Sequence, residues 1–186
     1  MKRLVPARTV VVVVDIQERL AAAMPPDDLA AVLRATRILV ESARALGAPV
    51  VATEQYPKGL GPTLPDVRAA LDAAAAPVLE KLAFSACDSE GFTAHLAQRP
   101  ALEAAVVLGM ESHVCVYQTV RDLVARGLTV HVPIDGVASR RADHREAGLE
   151  LCVRAGGVRT TAESVAFDWL ARAGGDEFKL VSKLVR

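Results

Sequence analysis

With 186 residues, 52% of them hydrophobic, the chain is long enough for one domain over residues 1–186 with a sizeable core, and too apolar for disorder. Its 22 basic and 22 acidic residues cancel, which leaves no electrostatic footprint for nucleic acid or for an anionic membrane. The apolar runs are far too short to span a bilayer, Asp15 cuts off the first of them before any clean cleavage site, and three widely spaced cysteines (Cys87, Cys115, Cys152) fit neither a disulfide framework nor a zinc knuckle, so a cytoplasmic protein is expected.

In chain order, the five valines Val10–Val14 read as a strand buried on both faces. Asp27–Leu46 has apolar residues at helical spacing, aspartates at its start and Gly47 at its stop. Pro49–Thr53 is the next strand, and Glu54–Pro65, with three prolines and two glycines, reads as a loop. Further strands are predicted at Val78–Lys81, Ala104–Gly109, Leu128–Val132 and Val158–Thr160. Helices are predicted at Asp66–Ala75, Ser89–Gln98, Glu111–Arg126, Asp143–Ala155 and Ala162–Ala171, and the tail is left unassigned. Such alternation predicts an α/β fold: a six-stranded, mostly parallel sheet between two helical layers, a three-layer α/β/α sandwich. Right-handed crossovers put every strand's C-terminal end on one edge, where ligands of open α/β sheets bind.

Three reactive residues fall on that edge. Asp15 follows the first strand, Lys81 closes the third, and Cys115 follows the fourth at the start of a predicted helix. A helix N-terminus and a nearby ammonium favour a thiolate, and a carboxylate can take the thiol proton. A thiolate can then attack a carbonyl carbon, with backbone N–H groups receiving the oxyanion. Each residue also has a plainer reading: Cys115 as a small core residue, Asp15 as a cap, Lys81 as a solvated strand end. Cys87 and Cys152 fit the core reading.

The stretches "VVVVDIQERL", "ATEQYPKGLGPTLPDV", "LEKLAFSA" and "VVLGMESHVCVYQTVRDLVARGLTVHVPIDGVASR" together resemble the isochorismatase-like cysteine hydrolases over nearly the whole chain. The order Asp, Lys, Cys and the Gly-x-Glu-x-His-x-Cys-Val pattern at Gly109–Val116 carry the likeness, and the isochorismatase domain-containing subgroup is the most similar. The resemblance implies a triad of Asp15 as base, Lys81 as electrostatic partner and Cys115 as nucleophile. It also implies an oxyanion hole from the N–H groups of Glu111 and Cys115, a cis peptide at Met110–Glu111, and a homo-oligomer, dimer or larger.

Departures from the family pattern narrow the chemistry. The metal-binding histidines of nicotinamidases have no counterpart, because His95, His113, His131 and His144 all lie after Lys81. No metal and no cofactor are therefore expected. The presence of Cys115 argues against isochorismate itself, whose hydrolysis needs no thiol ester. The expectation is hydrolysis of an amide-type C–N bond in a small molecule. The alternative is a catalytically silent or thiol-redox member of the fold that acts through protein interaction. Gln55, Tyr56, Phe84 and His113 are substrate-binding candidates by position, each with an ordinary turn, core or surface role as its rival. Arg140 and Arg141 read as a solvated pair.

Overall fold

The computed structural model describes residues 2–186. Its strands are β1 (Thr9–Val14), β2 (Val50–Gln55), β3 (Val78–Lys81), β4 (Ala104–Met110), β5 (Thr129–Pro133), β6 (Val137–Ala138) and β7 (Val158–Thr160). Its helices are α1 (Glu18–Ala21), α2 (Pro26–Leu46), α3 (Pro57–Leu60), α4 (Pro65–Ala73), α5 (Glu90–Ala97), α6 (Tyr117–Ala125), α7 (Ala142–Arg154), α8 (Ala162–Leu170) and α9 (Gly175–Leu184). The sheet runs β3-β2-β1-β4-β5-β7, with every pairing parallel. No described helix is long and apolar enough to cross a membrane.

The valine run sits at the centre of the sheet because both of its faces are covered. Val11 and Val13 belong to the apolar cluster that draws on α2, α4, α8 and α9, while Val10, Val12 and Val14 belong to the one that draws on α5, α6 and α7. All five are essentially without solvent exposure. Such continuous apolar strands are what a parallel sheet covered on both sides requires. α2 ends where expected, on Gly47 in the left-handed conformation (φ 77°).

The strand count departs from six. β4 has seven residues, and β5 pairs only with its first part, Ala104 to Val106. Its last two residues, Gly109 and Met110, pair instead with the two-residue β6. A strand this short has no hydrophobic period to read in a sequence. Two further differences bear on the site: the helix expected from Glu111 opens as a π-helical turn over Ser112–Val116, and the proline-rich loop contains the single turn α3.

Candidate active site

β1, β2 and β3 end side by side, which decides what can meet. Parallel neighbours lie about 4.8 Å apart, so a side chain on β3 must cross β2 to reach β1. Lys81 is long enough. Its Nζ donates to Asp15 Oδ2 at 2.7 Å, and both side chains are fully buried. The strand it crosses supplies supports. Thr53 and Gln55, two residues apart and so on one face of β2, bracket the pair: Gln55 Oε1 accepts from Lys81 Nζ at 2.8 Å, and Thr53 Oγ1 donates to Asp15 Oδ1 at 2.7 Å. The carbonyls of Ala83 (3.2 Å) and Phe84 (3.1 Å) also accept from Nζ. The ammonium is thus surrounded by four oxygens, which is what a buried charge needs. Asp15 itself lies just beyond β1 with a left-handed backbone (φ 52°), its N–H still joined to Thr53 O at 3.1 Å.

Cys115 lies in the π-helical turn between β4 and α6, a distortion often found at functional sites. The peptide Met110–Glu111 is cis. The hydrogen-bond pattern around it leaves a donor over. Gly109 N–H continues the ladder to Gly136 O at 2.8 Å, but two residues later Glu111 N–H donates to no acceptor among the described residues. Glu111 O accepts from Val114 (3.1 Å) and Val116 (3.2 Å) and passes over the N–H of Cys115. Close approach of β4 to β1 requires glycine at 109, where φ is 125° and a Cβ would stand 2.0 Å from Val14 O.

Cys115 is 5% exposed. Burial pushes its pKa up to about 12; the Asp15 charge adds to that rise, and Lys81 opposes it. Burial thus outweighs the helix start and the ammonium that favour a thiolate. Magnitudes explain the outcome. Desolvation moves a buried group by up to about 3–5 units, whereas a helix end is worth about 0.3–1 kcal/mol, less than one unit. Cys87 and Cys152 belong to the apolar cluster on the same side of the sheet; burial alone raises Cys152 to about 12, while Cys87 is raised to about 11 by burial, with Arg126 opposing and Asp122 and Asp88 adding.

The other predicted residues take different places. Gln55 turns both ends of its amide inward, to Lys81 and, through Nε2, to Leu82 O at 2.7 Å. Tyr56, at φ 38° and half exposed, lies on Gly59, where a Cβ would come 2.3 Å from its ring. It borders a depression of about 540 Å3 that also touches Lys81, Leu82 and Ala83. Phe84 is exposed, as is Leu82 at 77%. His113 Nδ1 lies 3.0 Å from Ser139 Oγ, and its ring centroid is 4.6 Å from that of His144. Arg140 is not merely solvated: its N–H and Nε both donate to Glu111 Oε1, at 3.1 and 3.0 Å. Sequence reasoning missed Thr53, Ser112 and Ser139. Of these Thr53 was detectable, since the residue two before Gln55 shares its strand face.

The family profile for the isochorismatase domain matches residues 9–164. Isochorismatase domain-containing protein 1 of Danio rerio is 36% identical over 182 residues, which cover 97% of this chain and 62% of that relative. The chain thus spans less than two thirds of the fish protein. Among solved structures, the MAR1 ribonuclease of Caenorhabditis elegans superposes with a TM-score of 0.90 at 34% identity, over 99% of this chain and 92% of that one. YcaC of Escherichia coli, described as an octameric hydrolase of unknown specificity, shares the fold, with a TM-score of 0.81 at 22% identity over 91% and 83% of the two chains.

Proposed function

We propose that this chain, which belongs to the isochorismatase family and has its hydrolase fold, cleaves an amide-type, non-peptide C–N bond of a small molecule through Asp15, Lys81 and Cys115. The observation that carries the reading is the fully buried Asp15–Lys81 ion pair, fixed by Thr53 and Gln55 at the sheet edge where β4 also ends and leads into the turn that holds Cys115. In the first step the thiol proton passes to Asp15 as sulfur bonds to the carbonyl carbon. The oxyanion is received by the N–H groups of Glu111 and Cys115. Collapse breaks the C–N bond, and ammonia or an amine leaves with the proton from Asp15. Water then attacks the thioester and gives a proton to Asp15. The acid product leaves, and the proton returns to sulfur. Lys81 keeps its charge throughout, holding Asp15 in place and lowering the cost of negative charge on sulfur.

The charge pattern supports an acyl substrate over a phosphodiester, despite the ribonuclease name of the nematode neighbour. Lys81 has its ammonium taken up by four oxygens, and the chain carries no net positive charge to hold a nucleic acid backbone. Exposed Leu82 and Phe84 beside the site, together with the octameric assembly described for YcaC, support a homo-oligomer. The test is a screen of small amides, carbamoyl and ureido compounds for ammonia release, with RNA as a further substrate. The proposal expects release from at least one compound and none from the Cys115→Ala variant. Activity unchanged in that variant, or RNA cleavage alone, overturns it.

A further inference from the structure

The geometry points to Ser139 as the positioning residue for the turn that carries the nucleophile and both oxyanion donors, a role that rests on the acyl-transfer reading above. Ser139 follows β6 and is wholly buried. Its Oγ accepts the backbone N–H of Ser112 at 3.2 Å, lies 2.6 Å from Ser112 Oγ, and lies 3.0 Å from His113 Nδ1. A serine hydroxyl has one proton and two acceptor sites, so these three contacts use all of it. Of Ser112 Oγ and His113 Nδ1, one donates to Ser139 and the other accepts from it.

The grip is continuous with the neighbouring residue. Arg140 holds the Glu111 carboxylate by N–H and Nε, so residues 139 and 140 together fix 111, 112 and 113 in succession. β6 anchors this brace by pairing with the end of β4, the strand from which the turn departs. From the other side α7 closes against the same turn at Gly148, where a Cβ would stand 2.5 Å from His113 N and Ser112 C. The turn's own hydrogen bonds do not fix the direction of the Glu111 N–H, which has no partner among the described residues. Its aim depends on this external brace, and Ser139 is the part of it that holds the next peptide, Glu111–Ser112, directly.

Two reactions of the same sulfur separate positioning from folding. p-Nitrophenyl acetate acylates a thiol through a tetrahedral oxyanion: the S–C bond forms, the thiol proton passes to Asp15, and the C–O bond breaks to release nitrophenolate. Iodoacetamide alkylates the thiol by displacement of iodide and develops no oxyanion. Both rates are measured on Cys115 in the full chain by peptide mass. In Ser139→Ala the acylation rate is expected to fall about a hundredfold relative to alkylation, as loss of alignment by about an ångström does. Ser139→Thr, which keeps the hydroxyl, is expected to restore the ratio, and Ser139→Cys, with a weak donor of similar shape, to lie between. An unchanged ratio in Ser139→Ala overturns the assignment; if that variant does not fold, an unchanged ratio in Ser139→Cys does so. Failure of the wild-type Cys115 to be acylated at all counts instead against the acyl-transfer reading, so the two ideas fail separately.

Discussion

Replacing Asp15 with asparagine should make Cys115 more reactive toward an alkylating agent while stopping turnover. Asparagine keeps the shape: its amide oxygen can accept from Lys81 Nζ and its NH2 can donate to Thr53 Oγ1, but the negative charge is gone. That charge raises the Cys115 pKa, and Lys81 lowers it. A neighbouring charge typically moves a pKa by about 1–3 units, so thiolate at neutral pH rises about 10- to 1000-fold. The more acidic thiolate is a weaker nucleophile, which takes back nearly half of this on a logarithmic scale, so the net gain in alkylation is about 3- to 40-fold. Turnover falls at least about 100-fold, because the general base is lost. The assay pairs the second-order rate of iodoacetamide labelling at Cys115, read by peptide mass, with ammonia release, on protein checked by thermal melting because Lys81 loses its buried counter-charge. Slower labelling would refute the reasoning, since it would mean that Asp15 ionises the sulfur at rest.

Lys81→Met leaves Asp15 buried without its partner and should cost about 3–5 kcal/mol in urea unfolding. It should also slow alkylation of Cys115, because the group that lowers that pKa is gone; faster labelling would contradict the sign. Gly148→Ala gains about 1 kcal/mol of helix propensity but drives a methyl against the backbone of Ser112 and His113, so both stability and kcat should fall; a more stable, fully active variant would show that α7 yields. Stability should be flat between about pH 6.5 and 9. His131, buried and titrating below its ordinary 6.5, refuses a proton that the unfolded chain binds, so stability drops as pH falls, by up to about 1.4 kcal/mol per unit. The buried thiols titrate above their ordinary 9.0 and keep protons that the unfolded chain loses, so stability also drops as pH rises toward 11 or 12. Urea titrations from pH 5 to 10 check both limbs; stability that increases toward pH 5 contradicts the first.

Much of the architecture is legible in the sequence because the physics is local. Five consecutive valines admit few settings other than a sheet covered on both faces, and glycines such as Gly47 mark helix ends. Asp15 and Lys81 were found because each terminates a strand, and parallel topology puts such termini together. What was missed has no local signature. The strand over Val137–Ala138 is two residues long, and Ser139 after it looks like any turn serine until β4 brings it against Ser112. Gly148 reads as a weak point in a helix, although it is a point of close approach. The upward push on the Cys115 pKa was hidden for a related reason. The lysine and the helix start are visible in sequence, but the depth of burial that outweighs them is a property of the assembled layers.

The proposed reaction requires that the sulfur of Cys115 become covalently acylated during hydrolysis. Once the screen yields an amide substrate, steady-state turnover quenched in acid and followed by peptide mass mapping tests it directly. The acyl fragment is expected on the peptide carrying Cys115, removable by hydroxylamine, and on neither Cys87 nor Cys152. Ammonia release with no acyl group on Cys115 at any stage of turnover would contradict it.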